Sequence, residues 1–436
     1  MLRYIHLKNF RSLTDLTFDF TGKNGKPKNL ILLYGENGSG KSNFVSAFSM
    51  FSTVLNAFSF RRLLNEIIDD DLKSLSQESI QYFRSYTDIS RIIKNNKTIN
   101  SSDNMSIELG FILNGKNGTY YIEFDNEQIV KESLDYTLNS NKGNYFYISK
   151  DSTGHINPKI FAETYMNELQ LQLEKYWGKY SLLSLIDDAK EEFSKEFADT
   201  AFDDKLKSVL EFLHKISTYS VSSETESRRA YKVNNRSFDL ESGKIPSNLL
   251  KELHKTEKIL NYYYSRLYKD IRKVYYRTEN QDDGFIQYTL MFSRMISGSK
   301  IDVDYTHESF GTLKLLSLLP HLIHTSSGNI SILDEIGNGI HDVLFQNIIK
   351  NIYKELSNSC GQLIITTHNT LFLNEYDLKD SIYFIEMDDK AKRTIKAITD
   401  YDFRIQRGSN TIINYLNGKF SRLPWQETEI DFSKLR

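Results

Sequence analysis

One eight-residue stretch of this sequence has the residue types and the spacing of a phosphate-binding loop. Residues 35–42 read Gly-Glu-Asn-Gly-Ser-Gly-Lys-Ser and match the pattern G-x-x-x-x-G-K-[ST] at every position. Glycines in such a turn let successive backbone N–H groups face the phosphates, and the helix that follows adds partial positive charge. The stretch predicts a loop that wraps a nucleoside triphosphate, lined by Gly35, Asn37, Gly38, Ser39, Gly40, Lys41 and Ser42.

Two side chains at the end of this loop suit the charge of a triphosphate and its metal ion. Lys41 is expected to neutralise the β and γ phosphates, and the hydroxyl of Ser42 to take one position on Mg²⁺. An ordinary glycine-rich turn is the alternative, but it would leave the lysine without a role. The predicted cofactors are therefore ATP and Mg²⁺.

Two adjacent carboxylates end an apolar strand later in the chain. The strand covers Ile330–Leu333, and Asp334 and Glu335 follow it directly. Since a parallel strand delivers the residues at its carboxyl end to a ligand crevice, Asp334 is the expected Mg²⁺ ligand and Glu335 the general base for an attacking water. Taken alone, the pair fits a helix cap equally well. The upstream phosphate loop favours catalysis.

A histidine ends the next apolar strand. Residues 362–367 read Gln-Leu-Ile-Ile-Thr-Thr, and His368 comes after them. This side chain is predicted to sense the γ-phosphate or the lytic water, and it is the second candidate catalytic residue beside Glu335. A structural histidine at a strand end is the alternative reading.

A serine and a glycine open an apolar helix about twenty residues before the acidic strand. The segment Glu308–Leu316 reads Glu-Ser-Phe-Gly-Thr-Leu-Lys-Leu-Leu, which places Ser309 and Gly311 at the helix start. By itself this is a helix-capping pattern. In its setting it resembles the signature segment of ABC-type ATPases, whose serine and helix N-terminus bind the γ-phosphate of ATP held by the opposite subunit.

The elements that position these residues follow from hydrophobic periodicity. The continuous apolar run Leu30–Tyr34 predicts a strand covered on both faces, and a helix with apolar residues every three or four positions begins at Lys41. A helix from about Val343 to Leu356 separates the last two apolar strands, which indicates a parallel crossover unit. The pattern between about Ile160 and Lys273 predicts a mostly helical segment. The polar tract Ser222–Lys244 within it is predicted to be an exposed loop.

We therefore predict an α/β fold in which a large head carries an insertion. Residues 1–150 form the N-terminal lobe with the phosphate loop, 151–275 a helical insertion, and 276–436 the C-terminal lobe with the signature, the acidic strand and the histidine. The resemblance to ABC-type ATPases implies that this head is a P-loop NTPase head with a mixed central sheet and flanking helices plus an antiparallel β part.

The composition sets limits on partners and location. With 55 basic and 57 acidic residues, the net charge of -2 gives no global attraction to nucleic acid or to an anionic membrane. The single cysteine, Cys360, precedes an apolar run and is expected in the core. No stretch approaches the ~20 apolar residues of a membrane span, so no membrane partner and a cytoplasmic location are predicted.

The order of these segments resembles the ABC-type ATPase heads of the SMC, RecF and OLD superfamily. The opening Ile5–Leu13 looks like their K-N-F-R-S strand, and Glu308–Thr312 looks like E-S-x-G-T. The likeness is closest to AAA-type ATPases of abortive-infection and phage-defence operons, since Tyr415–Phe420 resembles the Y-L-x-G-R-[YF]-G-A-I-P tail of RloA- and AbiL-like ATPases. A more distant likeness to AriA, the ATPase of the PARIS defence system, rests on the head alone. The resemblance covers roughly residues 1–150 and 275–425.

This resemblance implies a homo-oligomer in which two heads enclose ATP, so that Ser309 and Gly311 act on the partner's nucleotide. Residues 339–342 read Gly-Ile-His-Asp and lack the family's proline, and Ser421 and Arg422 replace Gly-Ala in the tail. The Q-loop glutamine is not assigned. Arg11 is read either as a nucleotide contact, by analogy, or as an exposed arginine at a strand end.

Two functions fit these observations. The first is an ATPase that serves as sensor or scaffold in anti-phage defence and controls a separately encoded effector, a nuclease or a toxin. The second is a RecF- or SMC-like clamp in DNA repair, with nucleic acid bound by basic residues of the insertion. The candidate patch is Arg228, Arg229, Lys232 and Arg236. An OLD-type nuclease is disfavoured because too few residues follow His368 for a nuclease domain.

Overall fold

The computed structural model describes residues 1–22, 24–70, 87–137, 142–192, 201–220, 239–281, 284–357, 359–388, 390–401 and 411–420. The strands among these residues are β1 (Leu2–Phe10), β2 (Leu13–Asp19), β3 (Leu30–Gly35), β4 (Met105–Leu113), β5 (Lys116–Phe124), β6 (Ile129–Thr137), β7 (Lys142–Ser149), β8 (Ser152–Ile156), β9 (Ile216–Tyr219), β10 (Ser242–Pro246), β11 (Ile271–Asn280), β12 (Phe285–Ile296), β13 (Ser299–Asp304), β14 (Ile330–Asp334), β15 (Gln362–Thr366), β16 (Ile382–Met387) and β17 (Arg393–Ala397).

The α-helices are α1 (Lys41–Asp70), α2 (Ile89–Asn96), α3 (Glu163–Tyr176), α4 (Leu182–Glu192), α5 (Asp204–His214), α6 (Leu250–Leu267), α7 (Phe310–Ser326), α8 (Asp342–Leu356) and α9 (Thr411–Leu416). Short 3₁₀ helices occupy Ser247–Leu249, Tyr305–His307, Thr370–Asn374, Tyr376–Ser381 and Ile398–Asp400. None of the helices in the described part of the chain is both long and apolar enough to span a bilayer.

A mixed six-stranded sheet lies at the centre of the fold. Its order is β17-β16-β3-β15-β14-β9, and all neighbours are parallel except the edge strand β17. β3 is apolar throughout because both faces are covered. Ile31 and Leu33 pack into one core, whereas Leu30, Leu32 and Tyr34 pack into the other. The connection β14–α8–β15 is the parallel crossover that the sequence predicts.

A seven-stranded antiparallel sheet covers α1 on the side away from the central sheet. Its order is β2-β1-β4-β5-β6-β7-β8. The predicted apolar face of α1 is buried, including Phe44, Phe48 and Phe51. Phe51 meets Tyr120 of β5 edge to face, with ring centroids 5.6 Å apart. This sandwich fixes α1, and therefore the loop that precedes it, between two sheets.

The second core lies on the opposite face of the central sheet. It contains α6, α7, α8 and a smaller antiparallel sheet in which β12 pairs with β10, β11 and β13. The Tyr264 hydroxyl of α6 donates to the backbone carbonyl of Thr312 in α7 over 2.7 Å. Near the C-terminal end of the described chain, the rings of Phe384 and Phe420 stack 5.3 Å apart. The tail motif thus packs on β16, and residues 421–424 lie outside the described residues.

The predicted architecture of a mixed central sheet with flanking helices and an antiparallel part is confirmed. The segment 151–275, predicted as mostly helical, carries α3, α4, α5 and α6 and also contributes strands, since β9 joins the central sheet beside β14 and β10 joins the smaller sheet. β9 has only four residues, too few for periodicity to distinguish a strand from a helix. Cys360 is exposed, not buried, because the chain turns there before β15 begins. The boundaries at 150 and 275 stay a prediction.

Candidate functional site

Three neighbouring parallel strands bring the predicted residues to one edge of the central sheet. β3 leads into the phosphate loop, β15 ends before His368, and β14 ends in Asp334. β15 pairs with both β3 and β14, in parallel. Because neighbouring strands lie about 4.8 Å apart and their carboxyl ends share one edge, the three loops converge.

The phosphate loop needs its glycines for two different physical reasons. Gly38 and Gly40 have φ angles of +80° and +111°, which side chains rarely tolerate. At Gly35 the limit is space, since a Cβ would lie 2.4 Å from Cγ2 of Ile385. Asn37, Gly38 and Ser42 are exposed, whereas Gly35, Ser39, Gly40 and Lys41 are buried.

The Lys41 side chain lies inside this loop. It is 4% exposed, and its ammonium donates to the carbonyl of Gly35 (2.8 Å) and the carbonyl of Glu36 (3.0 Å). Burial lowers the pKa of Lys41, while Glu335 and Asp334 act in the opposite direction. No carboxylate among the described residues lies within ion-pairing distance of the ammonium. A buried cation with only neutral partners is a strong site for an anion.

Asp334 is held in place by hydroxyl groups from both neighbouring strands. It is 3% exposed, and its Oδ1 accepts a hydrogen bond from Thr366 Oγ1 at 2.5 Å. Its Oδ2 lies 3.5 Å from Oγ of Ser220, the residue that follows β9. The carboxylate therefore has a fixed orientation.

Glu335 has an unusual backbone conformation that aims its side chain. Its φ is +47°, a region that a non-glycine residue adopts only when neighbouring contacts enforce it. Its N–H donates to Oγ1 (2.9 Å) and to the carbonyl (3.2 Å) of Thr366. Asn338 Nδ2 donates to Glu335 Oε2 at 2.8 Å, and Glu335 Oε1 lies 3.4 Å from Nε2 of His368.

Burial and the nearby Lys41 ammonium favour the neutral form of His368. Burial lowers the pKa of His368, the Lys41 charge lowers it further, and Glu335 raises it. A neutral imidazole can accept a hydrogen bond at one nitrogen while it donates at the other. The geometry thus brings Lys41, Asp334, Glu335 and His368 to a single site.

Ser309 and Gly311 stand at the N-terminus of α7. Ser309 is the N-cap: its Oγ accepts from the Thr312 backbone N–H at 3.2 Å and lies 2.8 Å from Thr312 Oγ1. A Cβ on Gly311 would lie 2.7 Å from the Gly339 carbonyl oxygen, so this helix start packs tightly on the loop after Glu335. No hydrogen bond among the described residues joins Ser309 to the phosphate loop.

An ion-pair cluster anchors the residue before Ser309. Glu308 has a side chain only 2% exposed, and Arg294 binds it in a bidentate manner at 2.7 and 2.6 Å. Arg294 also pairs with Asp270. The hydrogen bond to Glu308 contributes most, and together with the bond to Asp270 it raises the pKa of Arg294 above its usual range. The start of α7 is therefore fixed to β12.

Arg11 is engaged with α1 and α2. Its Nη1 donates to Ser46 Oγ at 2.9 Å and its Nε to Asn96 Oδ1 at 3.0 Å. Ser46 Oγ in turn donates to the Ser42 carbonyl at 2.7 Å. The arginine is half-buried, contrary to the reading of it as an exposed strand-end residue, and it lies one side chain away from the first turn of α1.

Sequence reasoning missed four residues of this site. Thr366 binds both acidic residues, Ser220 approaches Asp334, Asn338 holds Glu335, and Arg393 donates to backbone carbonyls of the phosphate loop. Thr366 could be predicted from its position, because it is a hydroxyl residue at the end of β15, and β15 lies between the two other strands that carry site residues. The other three come from distant segments without a local pattern.

The residues present suit a triphosphate with a divalent cation. Ser39 is 3% exposed, and its Oγ has no hydrogen-bond partner among the described residues. An anion in the loop would satisfy this hydroxyl and the Lys41 ammonium together. The Ser42 hydroxyl and the Asp334 carboxylate are oxygen ligands of the kind that Mg²⁺ takes, and a bound Mg²⁺ would neutralise phosphate charge.

Comparison with known families assigns the class. Residues 30–374 match the family described as "AAA domain, putative AbiEii toxin, Type IV TA system", and the chain belongs to this family. With the phosphate loop described above, the protein is an ATPase of the AAA class. The predicted fold class is confirmed as a P-loop head with a mixed central sheet, flanking helices and an antiparallel β part. The comparison with curated proteins finds no match.

Solved structures similar to the chain include SMC head domains. One is the SMC head domain from Thermotoga maritima, with 14% identity, 91% of this chain and 98% of that chain covered, and a TM-score of 0.40. Another is the SmcHead bound to the C-winged helix domain of ScpA, with 14% identity, the same coverage and a TM-score of 0.45.

Proposed function

We propose that the chain hydrolyses ATP at this edge of the central sheet, with each residue in the role that its position suits. The observation that carries the proposal is the convergence of Lys41, Asp334, Glu335 and His368 from three adjacent strand ends. Lys41 and the loop N–H groups hold the phosphates, and Ser42 and Asp334 hold Mg²⁺. Glu335 takes the proton of the attacking water, and His368 orients that water or the γ-phosphate.

We further propose that two copies enclose the nucleotide. Ser309 caps α7 and makes no hydrogen bond to its own phosphate loop among the described residues. The adjacent Phe310 is 61% exposed, and it packs on Gly339 at the surface beside Ser309. The start of α7 thus presents a hydroxyl, N–H groups and an apolar ring to a partner. In the assembled pair Ser309 and Gly311 meet the other copy's γ-phosphate.

The biological role that we propose is anti-phage defence in the cytoplasm. The matched family's description names a putative AbiEii toxin of a Type IV TA system, and the opening and tail motifs resemble RloA- and AbiL-like ATPases and, more distantly, AriA. In this role ATP holds the assembly, and hydrolysis or a trigger releases a separately encoded nuclease or toxin.

The role is tested by phage challenge of bacteria that express the chain together with the gene next to it. We expect the parent pair to protect the culture and the Lys41→Ala pair to fail. Equal protection by both pairs would show that defence does not depend on ATP binding. The RecF- or SMC-like clamp predicts a different result, namely salt-sensitive binding of duplex DNA by the purified protein. Its candidate patch, Arg228, Arg229, Lys232 and Arg236, lies outside the described residues.

A further inference from the structure

Arg393, near the C-terminal end of the chain, contacts the phosphate loop. It opens β17, and its Nε donates to the Ser39 carbonyl at 3.1 Å. Its Nη1 donates to the Ser12 carbonyl at 2.7 Å, in the turn between β1 and β2. Its Nη2 lies 3.5 Å from the Gly38 carbonyl. One guanidinium thus holds backbone oxygens of the loop and of a separate turn.

These contacts fix the direction of one peptide group. The Ser39 carbonyl and the Gly40 N–H belong to the same planar peptide, and no peptide of the described chain is cis. In a trans peptide the C=O and the N–H point to opposite sides. Because the carbonyl faces Arg393, the Gly40 N–H faces away from it. This N–H has no acceptor among the described residues.

The neighbouring peptide has a different role. The Ser39 N–H, which shares a peptide with the Gly38 carbonyl, donates to the Glu36 carbonyl at 3.1 Å. It closes the turn of the loop and is not available to a ligand. The Gly40 N–H is therefore the donor whose direction Arg393 determines most directly.

We propose that Arg393 is a positioning residue for the nucleotide, which holds the peptide between Ser39 and Gly40 with its N–H turned toward the phosphates. The cation also polarises this peptide through the carbonyl, which makes the N–H a stronger donor. A donor that is already aligned needs no rearrangement when the anion binds. The inference rests on the ATP site proposed above and adds a residue from the C-terminal lobe to it.

A purely structural role for Arg393 is the competing explanation. The side chain packs beside Gly40, where an added Cβ would lie 3.6 Å from Arg393 Cδ. Removal of a structural arginine would lower the melting temperature and leave the nucleotide affinity of the folded protein unchanged. Removal of a positioning arginine would weaken nucleotide binding beyond any change in stability.

The experiment compares Arg393→Gln and Arg393→Lys with a control on the same strand, Lys396→Gln. Lys396 is half-exposed and pairs with Glu386 at 2.9 Å, away from the loop. The full-length proteins are titrated with Mg²⁺ and a fluorescent ATP analogue, KM and kcat are measured, and the unfolding temperature is recorded without nucleotide. We expect Arg393→Gln to raise Kd and KM about 10-fold, the loss of one charge-assisted hydrogen bond, with a smaller change in kcat.

Arg393→Lys keeps the charge but has no planar fork, so we expect a Kd between those of the parent and Arg393→Gln. The Lys396→Gln protein should match the parent. Unchanged Kd and KM in both Arg393 variants, or an equal rise in the control, would overturn the inference. If Arg393→Gln fails to fold, the Kd of Arg393→Lys tests the inference alone: a Kd above that of the parent supports it, and an unchanged Kd overturns it. A parent that binds no nucleotide would instead refute the ATP site itself.

Discussion

Replacement of Thr366 by valine removes one hydroxyl that serves both acidic residues and leaves the side-chain volume nearly unchanged. The hydroxyl donates to Asp334 Oδ1 at 2.5 Å and accepts the Glu335 N–H at 2.9 Å. The first bond involves a charge and is worth about 1.5–3 kcal/mol. The second loss is small, because the Glu335 N–H keeps the Thr366 carbonyl as an acceptor at 3.2 Å.

We therefore expect Thr366→Val to act through the orientation of Asp334. Loss of a partner that orients a metal ligand typically costs 10–100-fold in metal affinity or activity. ATP hydrolysis is to be measured against Mg²⁺ concentration, with the expectation of a 10–100-fold loss of kcat/KM or an equal rise in the half-saturating Mg²⁺. Nucleotide binding without metal should change little, since Lys41 and the loop are untouched.

Thr367→Val is the matched control for this experiment. Thr367 is the next residue and is also buried, and among the described residues its Oγ1 accepts only the Asn369 N–H, at 3.1 Å. The Thr367→Val substitution should lower the ATPase activity at most a few-fold. A Thr366→Val protein with the parent's Mg²⁺ dependence and turnover would refute the reasoning that this hydroxyl orients the metal ligand.

Three further predictions concern the base, a buried carboxylate and the signature helix. Glu335→Gln should bind ATP, lose nearly all turnover and form an ATP-dependent oligomer in light scattering; unchanged turnover would exclude Glu335 as the base. Burial raises the pKa of Glu132 to about 7. The native state therefore keeps a proton that the unfolded chain releases near pH 4.5, so stability falls by about 3 kcal/mol as the pH rises from about 4.5 to about 7. In urea titrations Glu132→Gln should flatten this slope, and an equally steep slope would contradict the assignment. Gly311→Ala places a Cβ 2.7 Å from the Gly339 carbonyl oxygen and should cost about 1–3 kcal/mol and weaken ATP-dependent assembly. Parent-like melting and assembly would show that the helix start is not tightly packed.

The parts of the fold that could be predicted are those with a long or repetitive signal. β3, β14 and β15 are continuous apolar runs because helices cover both faces, and α1 shows its buried face every three or four residues. The predicted site follows from them, since parallel neighbours end at one edge. The sequence therefore identifies Asp334 and His368 as candidates without any measured distance.

The remaining features depend on contacts between distant segments. β9 is four residues long, and only its pairing with β14 makes it a strand of the central sheet. The positive φ of Glu335 results from two hydrogen bonds to Thr366 on another strand. Arg393 lies more than 350 positions from the loop that it contacts. No pattern local to any of these residues carries that information.

The central claim, that two copies complete one ATP site, is tested most directly by mixing two inactive variants. Lys41→Ala keeps an intact Ser309, and Ser309→Arg keeps an intact Lys41, so a mixed pair contains one site in which both residues are present. We predict that each variant alone hydrolyses ATP at background rate and that the mixture recovers a substantial fraction of the parent's activity. A mixture no more active than the sum of its components would contradict the claim.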